Sequence, residues 1–466
     1  MLALAMMRVA TMLLSPEEMG KISLVLTTTA FFALFLVNPV GMFINRRIHA
    51  WKANGAARYY LTRYASYLLL VAFIASIVLT VLYLKGLIDF GIPFGWLIFL
   101  VCGSLIFNTI NQTAIPSLNL LGDSRRFVLL TLLTLAASFA CATFFVIKNQ
   151  PLAQCWLLGL LLGQALLAII GCKILFSHLK AAKNIEQYPL IQKQHLRALF
   201  SFAWPVAIAA GLGWVQGQGY RYLLVGQVGL AQLGLFVAGY GISAGIIAGI
   251  ESVLTTYFQP RLYRDVSLNQ DPGNYAQAWQ RYALAVIPSL VLSVALIAIL
   301  APELTKVFVG KDFQSAADFV IWGAIAETAR VLMGVYSLIA HVYIRTHWLI
   351  LPNLVGAIVT TILCILLIPN FGELGVGISL AVSGAIVVVL VHHLLARYVG
   401  GGPPVQPILM AIFSALVLWG IAISLRQFLT LTGWLLNIST LVPVGLTYLG
   451  FQYLFLQQHL KDKRNV

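Results

Sequence analysis

"LSPEEMGKISLV" (Leu14–Val25) and "VGLAQLGLFVAG" (Val228–Gly239) are the stretches whose alignment decides the fold. Leu14 falls on Val228, an offset of 214, and the same offset carries Arg47 onto Arg261. Further along, "RYASYLLL" from Arg63 matches "RYALAVIP" from Arg281, and "IKNQPLAQC" from Ile147 matches "IPNFGELGV" from Ile368. A self-match sustained over so much of the chain is an internal repeat. Both copies read in the same direction.

Each copy consists of apolar runs. The chain has 466 residues, of which 60% are hydrophobic and 9% charged, with a mean hydropathy of +0.92. A soluble globular protein is excluded. Runs near 20 residues recur, each long enough to cross a hydrocarbon core ~30 Å thick. In lipid only helices and closed barrels satisfy every backbone group, and continuous rather than alternating runs select helices. Spans are expected at 1–14, 21–44, 62–84, 94–118, 127–147, 152–176, 201–227, 231–258, 281–300, 318–342, 346–368, 373–396, 406–425 and 433–456. The reading is an all-α polytopic membrane protein of fourteen segments. An N-terminal six-helix half (1–176) precedes a basic loop (177–200) and a second half (201–399). A linker, "GGGPP" (Gly400–Pro404), leads into two extra helices and a basic tail (400–466). Parallel repeats of this kind are a transporter architecture, with the substrate path expected between the halves.

The first span is short and carries Arg8, and it lacks the basic start and small-residue cleavage site of a signal peptide. Its counterpart begins near Phe200, which maps ahead of Met1. The sequence is therefore expected to start inside its first helix; a short re-entrant helix is the alternative.

A net charge of +15 raises nucleic acid as a partner, but the basic residues sit in short loops between spans. One set of loops holds Arg46, Arg47, Lys52, Arg125, Arg126, Lys180 and Lys183 among many others; the alternate set holds only Lys21, Lys85, Lys148, Lys306, Lys311 and Arg426. The bias places the first set, and both termini, in the cytoplasm, with no nucleic-acid role. Cys102, Cys141, Cys155, Cys172 and Cys364 all lie in apolar runs without metal-like spacing, and read as small core residues rather than disulfides.

Three basic residues, Arg8, Arg221 and Arg330, remain inside spans. An arginine at the bilayer centre costs roughly 2.5–3.5 kcal/mol on insertion scales, so each needs a partner or a task. Arg221 shares its span with Gln216, Gln218 and several glycines, and Arg8 holds nearly the same place in the first repeat. Both are expected to line a central cavity and bind an anionic group; snorkelling to the interface is the plain alternative. Glu251 and Glu327 are read as the only two acids within the spans and as candidates for ion coupling. The plain alternatives are a loop-arginine partner for Glu251 and an i,i+3 pair with Arg330 for Glu327. Gly241, Gly245 and Gly249 suggest close helix approach before Glu251. Asn108, Asn111 and Gln112 form a polar band in the fourth span, as cavity lining or packing contacts. Trp214 and Tyr222 suit stacking on sugars or an interfacial belt. A Walker-type phosphate loop, metal-ligand spacing and a serine-nucleophile elbow are missing, so neither a direct ATPase nor an enzyme is indicated, and no bound cofactor is expected.

On these stretches the chain resembles the multidrug/oligosaccharidyl-lipid/polysaccharide (MOP) superfamily, and more narrowly the Wzx-type polysaccharide repeat-unit (O-antigen) flippases. "LLSPEEMGKISLV" is similar to the family's first-loop motif, with Arg8 ahead of it and Met19 in a tyrosine's place. "RYLLVGQVGLAQLGLFVAGYGI" from Arg221 matches the seventh-helix pattern, except that Tyr220 stands where an acid is usual. "LCILLIPNFGELGVGISLAVSG" from Leu363 carries the Ile-Pro-x-x-Gly turn. The resemblance implies alternating-access transport of undecaprenyl-pyrophosphate-linked oligosaccharide across the bacterial inner membrane. It also implies a proton or sodium gradient, and a polymerase and chain-length proteins of the same pathway as partners. A cation-coupled multidrug exporter on the same fold is the alternative, although acids should then line the cavity. An integral-membrane polymerase or ligase would need a large external loop, and a non-transporting scaffold would leave Arg221 dispensable.

Overall fold

The structure, a computed structural model, describes residues 2–428 apart from 88, 180–192, 269–271, 344 and 404, with positions 442, 446 and 450 beyond. The span expected at 433–456, the basic tail and the middle of the 177–200 loop lie outside the described residues. Among the described residues there is no strand, and eleven helical stretches are long and apolar enough to cross a membrane. One of these, His347–Val399, is two expected spans joined, and the short first helix is counted apart. The chain is thus an all-α polytopic membrane protein, and its described helices lie where the apolar runs predict them.

The order begins with α1 (Leu2–Leu13) and α2 (Pro16–Phe32), which continues through a π-helical turn, Ala33–Val37, into α3 (Asn38–Ala53). α4 (Ala57–Leu84), α5 (Phe94–Leu120), α6 (Ser124–Lys148) and α7 (Ala153–His178) follow. After the partly described loop come α8 (Lys193–Gln218) and α9 (Tyr220–Gln227), together one span, then α10 (Leu230–Leu268) and α11 (Pro272–Phe308). α12 (Ala317–Val342), α13 (Ile350–Leu395) and α14 (Val405–Phe428) complete the described chain.

Local chemistry sets the breaks. Ser15 caps α2, accepting from the Glu18 amide at 3.4 Å, with Pro16 in the first turn where a missing N–H costs nothing. The Glu18 carboxylate accepts from the Ala153 amide at 2.6 Å, so one acid ties the start of α2 to the start of α7. Lys21 donates to the same carboxylate at 2.7 Å. Pro39 sits at the start of α3 and removes a main-chain donor; the π turn just before it takes up the register. Pro369 and Gly372 divide α13: Gly372 has φ 54° and ψ −132°, a conformation open essentially to glycine alone. The Ile-Pro-x-x-Gly turn is therefore a real break between two spans.

The chain separates into two compact units, one comprising 3–12 with 235–466 and the other 13–234. Repeats are defined by sequence and units by contacts, and the two divisions of the chain differ. Within the 13–234 unit, a Cβ on Gly159 would lie 2.4 Å from the Ala142 Cα, and one on Gly163 2.4 Å from the Ser138 Cα. α6 and α7 thus meet backbone to backbone through small residues, as helices do where hydrophobicity supplies no drive.

The same unit holds a contact that obeys the repeat. A Cβ on Gly20 would lie 2.1 Å from the Leu230 carbonyl oxygen, and one on Gly234 1.8 Å from that of Pro16. Shifting by 214 turns Pro16 into Leu230 and Gly20 into Gly234. The first turns of α2 and α10 thus cross at a local pseudo-two-fold axis, each presenting its glycine to the other's carbonyl.

Candidate functional site

Arg221 lies in the first turn of α9, half-buried. Its Nη1 donates to Thr27 Oγ1 at 2.5 Å and its Nε to Tyr220 Oη at 3.3 Å, with the guanidinium carbon 5.7 Å from the Tyr220 ring centroid. Tyr220, standing where the related pattern has an acid, supplies a neutral oxygen and a π face instead. Among the described residues no carboxylate lies within 4.0 Å of Arg221. A guanidinium has five N–H donors, so the two bonds to hydroxyls leave both positive charge and donors to offer.

The surroundings fix this group. Trp214 Nε1 donates to the Thr27 main-chain oxygen at 3.1 Å, and the Tyr222 and Thr28 hydroxyls are 2.7 Å apart. Trp214 also meets Phe31 edge to face at 4.9 Å and Tyr222 at 6.1 Å. These two aromatics are tied to α2 and are not free interfacial belt residues. The sequence signal for the α2 side was "TTT" (Thr27–Thr29), three consecutive hydroxyls in an apolar run, which the sequence reading passed over. Gln216 and Gln218 are half-buried in the last turn of α8.

The polar band of α5 divides by role. Asn111 donates to the Gln164 carbonyl at 2.8 Å and so joins α5 to α7. Asn108 accepts from Gln112 at 3.4 Å. Gln112 lines a cavity of about 170 Å³ beside the π turn, with Asn38, Asn45, Tyr64, Thr109 and Thr113.

Arg8 lies within the 235–466 unit and makes different bonds. Its Nη1 donates to the main-chain oxygens of Val309 and, at 3.2 Å, of Lys306. Thr11 Oγ1 accepts from the Gly310 amide at 2.9 Å. Both side chains of α1 therefore satisfy the end of α11, where unpaired carbonyls and the helix dipole favour a cation.

In that unit Arg330 Nη2 donates to Glu251 and its Nε to Glu327, both at 2.7 Å, and Tyr240 Oη donates to the other Glu327 oxygen. The i,i+3 pair of Glu327 and Arg330 is present. Glu251 takes the intramembrane Arg330 rather than a loop arginine, a link across 79 positions invisible to local spacing. With all three groups ionised the set carries one net negative charge. The expectation of only two acids within spans is also corrected: the spans expected at 318–342 and 373–396 themselves begin on Asp318 and Glu373, which lie inside α12 and α13. α11 runs to Phe308, beyond the expected end at 300, and encloses buried Glu303; Glu18 is buried at the start of α2. Of the three spaced glycines, Gly241 and Gly245 admit Met7 and Leu4 side chains of α1 closely, while Gly249 faces open space. No cluster of three potential metal ligands occurs among the described residues.

The class is that of polytopic all-α membrane proteins, here with charged side chains inside helices long and apolar enough to span. Among solved structures, the lipid II flippase MurJ in an inward closed conformation matches with a TM-score of 0.69 at 14% identity, over 98% of this chain and 97% of that one. An inward-facing multidrug resistance MATE family transporter of the MOP superfamily matches with a TM-score of 0.65 at 13% identity, over 85% and 94%. A MATE protein in complex with MaD3S matches with a TM-score of 0.55 at 13% identity, over 89% and 96%. The chain has the fold of these proteins. No family profile and no curated sequence matches it.

Proposed function

We propose that the protein is a flippase for an anionic lipid-linked oligosaccharide, undecaprenyl-pyrophosphate-linked repeat units of O-antigen or another surface polysaccharide, working by alternating access. The observation that carries this reading is Arg221, an intramembrane guanidinium held by neutral hydroxyls and without a carboxylate partner among the described residues. A half-buried cation in that condition favours an anion, and bidentate bonds to phosphate oxygens are its strongest option. The likeness of fold to a lipid II flippase supports the same direction. The reading places the chain in the inner membrane with both termini cytoplasmic, and a polymerase and chain-length proteins beside it. Arg8, whose donors go to the end of α11, enters as a structural cation, and Gln216 and Gln218 as polar neighbours of the Arg221 span.

The test is transport of lipid-linked oligosaccharide in proteoliposomes by the wild type, Arg221→Lys and Arg221→Ala. Losing charge-assisted hydrogen bonds of about 1.5–3 kcal/mol each predicts at least a tenfold fall for the alanine variant and partial activity for lysine. Unchanged transport in Arg221→Ala would reject the reading.

A second reading, cation coupling, is favoured by the Glu251–Arg330–Glu327 set. One guanidinium offsets two carboxylates, so uptake of one proton or sodium ion would neutralise the group. On a multidrug exporter the same set would serve the same coupling.

A further inference from the structure

A groove of about 600 Å³ in the 13–234 unit takes no part in either site above. Phe107 and Ile110 of α5 and Ala168, Ile169, Cys172 and Phe176 of α7 form its walls. Its volume falls in the ~300–1,000 Å³ range of small-molecule sites. Two cations also line it, Arg58 in the first turn of α4 and Lys173 near the end of α7, one helical turn before Phe176. The Arg58 guanidinium carbon lies 5.6 Å from the Phe176 ring centroid, which sets it beside the turn of α7 that carries Lys173. Both cations are exposed, and neither has a carboxylate within 4.0 Å among the described residues. Nearby Asp123 is already shared by Arg126 and His178, each at 3.4 Å.

We infer that this groove is a binding site for one anionic glycerophospholipid, an acyl chain lying along the α5–α7 walls and the headgroup phosphate between Arg58 and Lys173. The two parts of the site do different work. Lipid chains are as apolar as leucine, so the walls shape the site but give little preference over bulk lipid. Selectivity must come from the two cations, and basic pockets between membrane helices are known to collect acidic headgroups. A zwitterionic lipid offers the same phosphate but brings its own cation toward two fixed ones. The groove's occupant is distinct from any transported substrate, so the inference stands or falls independently of the flippase reading.

The experiment is native mass spectrometry of the detergent-purified full chain, titrated with phosphatidylglycerol or with phosphatidylcholine of the same acyl chains. Wild type should retain one phosphatidylglycerol more tightly than any phosphatidylcholine. Each cation lost should weaken that binding about fivefold, so Arg58→Gln/Lys173→Gln should weaken it about 25-fold. Arg58→Lys/Lys173→Arg should keep it, as should Arg126→Gln, whose charge lies outside the groove. Lys173→Gln alone, near the end of α7 and exposed, gives the fivefold step should the double variant fold poorly. Equal retention in the glutamine variants, or equal affinity for both lipids, would overturn the proposal. So would displacement of phosphatidylglycerol by inorganic phosphate, which would make it a free-anion site, or by a polyprenyl phosphate, which would make it a substrate site.

Discussion

Adding one methyl group at Gly20 or at Gly234 should damage the protein equally, and adding both should cost little more than adding one. The new Cβ would stand 2.1 Å from the Leu230 oxygen in Gly20→Ala and 1.8 Å from the Pro16 oxygen in Gly234→Ala, against 3.4–4 Å for ordinary contact. The obstructing atoms are backbone, so no side chain can swing aside and the first turns of α2 and α10 must part by more than about 1 Å. Overpacking of that kind costs about 1–3 kcal/mol. Once one alanine has forced the turns apart, the second meets a gap already opened. The double variant should therefore fall well short of the sum of the singles, as coupled neighbours do. Gly249→Ala is the control, because nothing lies within 4 Å of its new Cβ and alanine favours a helix by about 0.8–1 kcal/mol over glycine. Denaturant titration of the detergent-purified protein, followed by tryptophan fluorescence, would read all four variants. Additive singles, or a Gly20→Ala as benign as Gly249→Ala, would refute the pseudo-symmetric crossing.

Two other perturbations separate structure from transport. Arg8→Ala should lower stability by about 1–3 kcal/mol through the uncapped end of α11, while the folded fraction transports at the wild-type rate; a transport defect with intact stability would return Arg8 to substrate binding. Glu327→Gln should leave one acid paired with Arg330 and so remove the set's net charge; substrate exchange without a gradient should survive, and acceleration by a proton or sodium gradient should disappear. Equal acceleration in that variant would exclude the set from coupling.

What the sequence disclosed followed from periodicity and composition. Apolar run lengths located the helices because every backbone group in lipid must be satisfied locally. Repetition exposed the Pro16–Gly20 and Leu230–Gly234 correspondence, although not that the two segments touch. The Ile-Pro-x-x-Gly turn was legible because Pro369 and Gly372 act on their own backbone. Contacts between distant positions were not legible. Glu18 looks like half of a capping box with Ser15, yet its carboxylate goes to Ala153, 135 positions away. Nor could spacing reveal that Arg330 reaches Glu251 as well as Glu327, or that Thr27 holds Arg221. Arg8 and Arg221 occupy nearly equivalent places in the two repeats, and sequence gave them one role. Their environments differ because Arg8 meets the carbonyls ending α11, whereas Arg221 meets hydroxyls.

That difference bears on why charge is kept at membrane depth at all. A charge needed only for folding is matched to a fixed opposite pole, since leaving it unmatched in low dielectric is costly. Arg8 meets that condition at a helix C-terminus and Glu18 at a helix N-terminus together with Lys21. Arg221 and the Glu251–Arg330–Glu327 set do not, for one retains a positive charge among neutral oxygens and the other a negative charge beyond its arginine. Folding alone gives no reason to keep either imbalance. On the function proposed above, a mobile anion for the first and a mobile cation for the second would supply the missing counter-charge, and only while each is bound.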